Sequence, residues 1–158
     1  MTEEATQRAL PKDAQFAIQK VYVKDVSFET PNSPTIFQAD WQPTVDMHMT
    51  NEAHKVEDNI YDVVLSITVT VKLGEKTAYL AEINQAGVFL LKNLPAELLD
   101  RILGTACPNI LFPFAREALS DLVMKGGFPQ LLLSPVNFEA LYEQQKQNQV
   151  EPDQQTTH

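Results

Sequence analysis

Residues 61–85 read YDVVLSITVTVKLGEKTAYLAEINQ and contain the clearest strand pattern of the chain. In the first half, apolar side chains take every second position: Tyr61, Val63, Leu65, Ile67, Val69, Val71 and Leu73. This alternation predicts a β-strand with one buried face. Gly74, Glu75 and Lys76 predict a tight turn, and a second alternating run from Thr77 to Gln85 predicts the returning strand. We therefore expect the fold to be organised around an antiparallel hairpin.

Another strand is predicted upstream of the hairpin. Val45, Met47 and Met49 alternate with polar residues within the segment 44–50, which is typical of a half-buried strand. A polar link is expected from Asn51 to Asp58. The sheet thus gains a third antiparallel strand.

The first strand, Phe16–Glu29, has an irregular alternation. Its apolar residues form three pairs, Phe16 with Ile18, Val21 with Val23, and Val26 with Phe28. The odd steps between pairs would put the middle pair on the opposite face of a regular strand. We therefore expect either β-bulges or burial of both faces, and a strand that is covered on both faces suggests a partner subunit.

A long connection, Thr30–Pro43, joins this strand to the next one. Connections of this length in compact domains usually have a function of their own or are disordered. Ile36, Phe37 and Trp41 argue against disorder because all three are large and apolar. They either cap the core of their own subunit or contact a ligand, and the sequence leaves both alternatives open.

The second half of the chain changes to helical spacing. Gly87 is expected to end the strand pattern, and Asn93 to cap a first helix that Pro108 ends or kinks. A broad apolar stripe predicts a helix over Asn109–Lys125, and a last short helix is expected over Phe138–Gln147. The fold class is therefore α+β, a meander-like four-stranded antiparallel sheet with helices packed on one face.

The domain organisation follows from these elements. We expect a flexible N-terminal leader at 1–15, one domain at 16–147 and a disordered, polar tail at 148–158. A sheet with helices on one face and a wide apolar helix stripe exposes more apolar area than a monomer usually does. Oligomerisation is therefore expected.

Composition and charge exclude several classes of function. Twelve basic residues against 21 acidic ones give a net charge of −9, and the basic residues are scattered, so binding to nucleic acid is not expected. No apolar run approaches the ~20 residues of a membrane-spanning helix. The N-terminus lacks the apolar segment of a secretory signal, and the single cysteine, Cys107, forms no internal disulfide. We expect a cytoplasmic protein.

The residues of most enzyme classes are missing from the sequence. His48, His54 and His158 have no second ligand at metal-binding spacing, and no phosphate-binding loop or nucleophile elbow occurs. Neither a catalytic residue nor a metal nor a cofactor is therefore predicted. Two alternatives stay open: a small thioesterase-like hydrolase that uses Glu117 as its base, and a carrier of a hydrophobic ligand.

Two separate segments carry a family resemblance. SFETPNSPTIFQADWQP at 27–43 and CPNILFPFAREALSDLVMKGGFPQLLLSPVNF at 107–138 resemble the corresponding regions of SecB, the bacterial protein-export chaperone family. The resemblance implies a four-stranded sheet whose first two strands are joined by a crossover loop, in a homotetramer built as a dimer of dimers. It also implies a chaperone that needs no cofactor or ATP, holds unfolded precursor proteins and delivers them to the translocation motor SecA.

The resemblance also assigns two binding surfaces. It implies that SecA docks on Asp25, Glu29, Leu80 and Glu82, whereas the residues alone would be read as solvated strand positions. Clients are expected in a groove between the crossover loop and the last helix, where the candidates are Phe37, Trp41, Phe138, Leu141 and Tyr142. Ala81 stands where the family often has cysteine, and the chain ends in QQTTH, so no contact between the tail and SecA is carried over.

Overall fold

The computed structural model describes residues 10–150 and contains one antiparallel sheet. Its strands are β1 (Gln15–Glu29), β2 (Thr44–Glu57), β3 (Ile60–Leu73) and β4 (Lys76–Lys92), in the spatial order β1-β4-β3-β2. The meander prediction is therefore correct for β2 to β4 and wrong for β1, which lies beside β4. The connection at 30–43 crosses from β1 to the far edge of the sheet, as the resemblance implied, and contains a short 3₁₀ helix, Thr35–Gln38.

Two strands are longer than the sequence predicted. The expected polar link at 51–58 is a strand as far as Glu57, because its polar side chains lie on an edge strand that solvent reaches. Asn59 makes the turn to β3 with φ 63°. Gly87 does not end β4 but lies within it, paired with Val63 and Val21. The glycine is explained by packing, since a Cβ there would lie 2.7 Å from Cε2 of Phe89.

The irregular alternation of β1 results from two β-bulges, which is the first of the two alternatives that the sequence left open. Register shifts occur between Ile18 and Lys20 and between Val23 and Asp25. Each bulge inserts one extra residue, so the apolar side chains after the bulge face the same side of the sheet as those before it. All three apolar pairs consequently project to one side of the sheet, which corrects the expectation that the middle pair faces the other way.

Three helices cover that side of the sheet: α1 (Ala96–Gly104), α2 (Ala106–Lys125) and α3 (Phe138–Val150). Asn93 is not the predicted N-cap, because it adopts a left-handed turn with φ 59° and donates from Nδ2 to the Asp13 carbonyl. The first helix ends before Thr105 rather than at Pro108, and Pro108 is tolerated in the first turn of α2, where its missing N–H has no helical partner to lose.

The core lies between α2 and the two central strands. Its fully buried members include Val63, Leu65, Ile67, Val69, Val71, Tyr79, Ile83, Phe89, Leu111, Leu119 and Val123. The helices cover the edge strands only in part: Asn51 of β2 donates to the Leu103 carbonyl of α1, whereas Phe16 and Ile18 on β1 and Val45 and Met47 on β2 stay substantially exposed. Apolar surface therefore remains along both edges of the helix-covered side.

The ends of the predicted domain lie at the limits of the described residues. Residues 1–9 and 151–158 fall outside them, so the expected leader and tail are described only at 10–15 and at 148–150. There, β1 begins at Gln15 and α3 continues to Val150, three residues beyond the predicted boundary. Within residues 10–150, no helix is long and apolar enough to cross a membrane.

Candidate functional surfaces

The side of the sheet opposite the helices is open, and it carries the four residues that were predicted to dock a partner. Directly paired residues of an antiparallel sheet project to the same side, and Glu29 pairs with Leu80 while Ser27 pairs with Glu82. Asp25 lies two residues from Ser27, so Glu82 lies diagonally between Asp25 and Glu29, about 7 Å from each. The structure therefore brings Asp25, Glu29, Leu80 and Glu82 together, and we name these four residues the acidic platform.

The carboxylates of the acidic platform are available for a basic partner. Asp25 and Glu29 are exposed and Glu82 is half-buried. Within residues 10–150, none of the three forms an ion pair with another side chain. Leu80 is half-buried beside them and adds an apolar contact to the otherwise acidic surface.

The far end of the same open side is electrostatically different. Tyr22 donates its hydroxyl to Oδ1 of Asp62 at 2.7 Å, and Nζ of Lys24 lies 3.6 Å from Oδ2. The hydrogen bond to Asp62 is the main cause that raises the pKa of Tyr22 to about 12. Asp62 is thus already compensated within the chain, unlike the three carboxylates of the acidic platform.

On the helix-covered side, the crossover loop ends in an aromatic cluster. The ring of Phe128 lies 5.1 Å from that of Phe37, 5.8 Å from that of Trp41 and 4.9 Å from that of Tyr79. Phe37 and Trp41 keep 49% and 38% of their surface exposed. The two loop residues are therefore fixed on one face by Phe128 and available for binding on the other.

Sequence reasoning did not select Phe128. The signal was present, because Phe128 follows the helix-ending Gly126 and Gly127 and opens the apolar run FPQLLL. Gly127 has φ 89°, a conformation that favours glycine, and it lies against the Phe37 ring. The chain reversal at the end of α2 thus places Phe128 under the loop.

The three groove candidates on α3 lie elsewhere. Phe138 is buried against Phe112, with ring centroids 6.0 Å apart. Tyr142 donates its hydroxyl to Oδ2 of Asp100 at 2.6 Å, whereas Leu141 is 37% exposed. Phe138 and Tyr142 therefore attach α3 to the other helices, and Leu141 is the member of the three with a free apolar surface.

The predicted groove residues consequently form two groups rather than one. Phe37 and Trp41 lie at the C-terminal end of α2, and Phe138 lies against Phe112 near its beginning. Residues 112–125 of a helix span about 20 Å. Between the groups runs the extended segment 129–137, where Leu132 is the most exposed large apolar residue at 69%.

The α1–α3 contact is reinforced by charges. Arg101 reaches Glu139 at 2.6 Å and Glu143 at 2.7 Å, and Lys146 reaches Asp100 at 2.8 Å. Hydrogen bonds from Lys146 and Tyr142 lower the pKa of Asp100. These ion pairs lie on the surface. They orient α3 against α1 and do not hold a reactive group in place.

The residues considered for catalysis are not arranged as a reactive site. Glu117 is exposed on the outer side of α2, whereas His48 and His54 project from the open side of the sheet. Cys107 is buried, and burial raises the pKa of its thiol to about 12. Within residues 10–150, no group of three or more His, Cys, Asp or Glu side chains could hold a metal ion. Glu117 lines an open surface cleft together with Arg116, Ser120 and Asp121.

Comparison with known proteins decides the family. The family model described as "Preprotein translocase subunit SecB" matches residues 9–149. The protein named "Protein-export protein SecB" from Nitrosococcus oceani is 55% identical over 152 residues, which cover 93% of each chain. The protein of that name from Methylococcus capsulatus is 55% identical over 147 residues, 93% of this chain and 92% of its own. This chain belongs to the SecB family.

These matches confirm the predicted family resemblance, the α+β fold class and the predicted function as a chaperone for protein export. Among solved structures, this SecB-family chain is similar to a SecB-like chaperone of Mycobacterium tuberculosis that was solved in complex with a peptide from an antitoxin. The TM-score is 0.65 at 17% identity, and the match covers 77% of this chain and 91% of that one. At this identity the similarity shows a shared fold.

Proposed function

We propose that this SecB-family chain is a holdase that binds unfolded secretory precursors in the cytoplasm, without ATP or a cofactor, and delivers them to SecA. One observation carries the proposal. The unpaired carboxylates of the acidic platform and the exposed apolar side chains lie on opposite sides of one sheet. Such a separation lets two partners of different chemistry bind at once.

The apolar side suits a client that has not folded. Unfolded chains share no sequence, but they share apolar side chains that folding would bury. Phe37, Trp41 and Leu141 are the predicted groove residues that offer exposed apolar surface. We propose that they contact clients, and that Phe138 and Tyr142 contribute by holding α3 in position.

The acidic platform suits SecA. We propose that basic side chains of SecA bind Asp25, Glu29 and Glu82, with Leu80 as an apolar contact. Rows of like charge that face a complementary partner increase the association rate and the specificity. The net charge of −9 adds to this attraction over longer distances.

We also propose a homotetramer, built as a dimer of dimers. The outer edge of β1 is unpaired within the described part of the chain, and Phe114 on the outer side of α2 is 50% exposed. Pairing of β1 with β1 of a second copy would cover the strand edge. Packing of α2 against α2 of another copy would cover Phe114. Several client-binding surfaces in one assembly would then raise the affinity for long chains by multivalency.

The test separates the two surfaces by charge reversal. We expect Asp25→Lys and Glu82→Lys each to weaken SecA binding by at least tenfold, measured by titration calorimetry, because each turns an attraction into a repulsion. The same variants should still arrest the refolding of a precursor. Glu52→Lys is the matched control, since Glu52 lies on the same open side but on β2, opposite Val64. Equal loss of both activities, or unchanged SecA binding, would refute the assignment.

A further inference from the structure

Lys24 is the extra residue of the second β-bulge in β1. The pairing of β1 with β4 skips it, because its neighbours Val23 and Asp25 pair with successive residues of β4. A bulge changes the direction of the side chain that it inserts. Lys24 reaches the open side of the sheet, where its Nζ lies 3.6 Å from Oδ2 of Asp62. The bulge thus turns the lysine that precedes the acidic platform toward Asp62.

Asp62 binds this lysine from two strands away. Because β4 lies between β1 and β3, the contact between Lys24 and Asp62 spans a whole strand. The Asp62 side chain is only 12% exposed, and a carboxylate with so little access to water needs a charged or hydrogen-bonding partner. Tyr22 donates its hydroxyl to Oδ1 at 2.7 Å, which leaves Oδ2 to the ammonium. Asp62 is therefore a fixed negative charge that attracts Lys24.

The backbone at the bulge is fixed from the other side of the sheet. Gln85 pairs with Leu65 of the core and is itself buried. Its Nε2 donates to the Tyr22 carbonyl at 3.0 Å. Loss of the Asp62 charge should therefore release the Lys24 side chain and leave the bulge in place.

Distance decides how strongly the Lys24 charge affects the acidic platform. Asp25 shares a cross-strand row with Ser66, and Ser66 lies four residues from Asp62, about 14 Å along β3. Exposed charges are largely screened beyond about 8 Å at physiological ionic strength. An ammonium that is bound at Asp62 therefore weakens the potential at Asp25 very little. A released ammonium on the neighbouring residue would come within the screening distance.

We propose that Asp62 is a positioning residue for the acidic platform, because it holds the Lys24 ammonium away from Asp25 and keeps that carboxylate available to a basic partner. The inference rests on the proposed binding of SecA. Without Asp62, Lys24 would compete with the basic side chains of SecA for Asp25. Pairing of β1 with a second copy would use the backbone edge and leave the open side free, so the inference is compatible with the proposed tetramer.

The test combines two substitutions. Asp62→Asn should weaken SecA binding by at least threefold in titration calorimetry at about 50 mM salt, where surface charges are screened less than at physiological ionic strength. Lys24→Met alone should change the affinity less than twofold, because its charge is already held away from the platform. The double variant should recover the wild-type affinity. A double variant that binds as weakly as Asp62→Asn would show that Asp62 acts through the shape of β1, and would overturn the proposal.

Two control variants separate the charge of Asp62 from its structural contacts. Asp58→Asn makes the same change in net charge and frees Lys55, which projects to the helix-covered side near the turn between β2 and β3. Tyr22→Phe removes the hydrogen bond to Asp62 and keeps its charge. Both variants should bind SecA within twofold of the wild-type affinity. A loss in either variant as large as that in Asp62→Asn would contradict the proposal.

A second readout needs no SecA. Reductive methylation with carbon-13 formaldehyde keeps the charge of each lysine and adds an NMR signal, and Lys24→Met identifies the signal of Lys24. Asp25→Asn should shift this signal more in the Asp62→Asn background than in the wild-type background, and equal shifts would overturn the proposal. If the wild-type chain does not bind SecA, the proposed function fails, whereas the Lys24 signal still decides where the ammonium lies.

Discussion

Gly87 lies in the middle of β4, directly beneath α2. A Cβ at this position would lie 2.7 Å from Cε2 of Phe89 and 3.0 Å from Cδ2 of Leu111. Both neighbours are fully buried, so they can make room only by moving within the core. The missing side chain is thus what allows α2 to approach the sheet this closely.

Gly87→Ala should therefore destabilise the protein. Overpacking of a dense core costs about 1–3 kcal/mol in the free energy of unfolding. We expect a loss of this size in urea unfolding that is followed by circular dichroism. Thr70→Ala, on the open side of β3, is the control and should change the free energy of unfolding by less than about 0.5 kcal/mol. Equal stabilities of Gly87→Ala and the wild-type chain would show that α2 can shift without cost.

Tyr79 makes the free energy of unfolding depend on pH in the alkaline range. The side chain is fully buried, and burial raises the pKa of its hydroxyl from about 10 to about 12. The unfolded chain releases the proton at lower pH than the folded one, so this contribution is complete below pH 10 and is lost as the pH rises from 10 to 12. The loss amounts to at most about 3 kcal/mol, since each pKa unit corresponds to 1.36 kcal/mol.

Tyr79→Phe should remove that contribution. We expect the variant to lose less free energy of unfolding than the wild-type chain between pH 8 and pH 11, measured by urea unfolding at both values. Burial also raises the pKa of the Cys107 thiol to about 12. Both proteins therefore keep the part of the pH dependence that comes from Cys107. If the two proteins lost the same free energy over this range, Tyr79 would not be the group responsible.

At the scale of elements, α3 is held by a few surface contacts. Arg101 on α1 binds Glu139 and Glu143, and Lys146 binds Asp100. Individual exposed ion pairs contribute little to global stability. Their effect is therefore expected in the local opening of α3 rather than in the unfolding of the whole domain.

Arg101→Met should increase the amide hydrogen exchange of α3 and leave that of β3 and β4 unchanged. The variant removes the two pairs that Arg101 makes with α3, leaves the pair between Lys146 and Asp100 in place, and keeps most of the aliphatic side chain. Lys125→Met is the matched control, because Lys125 pairs with Asp121 within α2 and joins no two elements. Faster exchange across the whole sheet would contradict a local role for these pairs.

The strands that alternate regularly could be predicted from the sequence, and the exceptions have physical causes. Val63 to Val71 bury every second side chain, so β3 was evident. The region 51–57 looked like a polar link because an edge strand can be polar on both sides, and Gly87 looked like a strand end because its role is close packing against a helix. The neighbour of β1 could not be read from local pattern, because pairing with β4 is a long-range contact.

The candidate sites were predictable to different degrees. The positions of Asp25 and Glu29 on one face follow from their spacing, since no bulge lies between them. Their proximity to Leu80 and Glu82 depends on the pairing of β1 with β4. Phe138 and Tyr142 were selected for their aromatic character, which indicates packing as often as binding, and here both pack inside the subunit.

At the scale of the whole molecule, the exposed apolar surface predicts assembly. Phe114 projects from the outer side of α2 with 50% of its surface exposed. We expect the wild-type chain to show four times the 17.8 kDa chain mass in native mass spectrometry. Phe114→Asp should shift the main species to half that mass with an unchanged circular dichroism spectrum, because the charge would be buried in the interface.

Leu10→Asp is the control for this prediction. Leu10 is similarly exposed but precedes β1 in the chain and belongs to no helix. It should keep the mass of four chains. A wild-type chain that runs as a monomer would refute the proposed tetramer, and an unchanged mass for Phe114→Asp would place the interface elsewhere on the molecule.

As a holdase, the assembled protein should hold unfolded precursors without ATP. The most direct measurement dilutes a slow-folding secretory precursor from denaturant, with and without a stoichiometric amount of this protein, and follows refolding by tryptophan fluorescence. We expect refolding to stop, or to slow at least tenfold, in the absence of nucleotide, because client binding competes with folding. Refolding at the same rate with and without the protein would refute the holdase function.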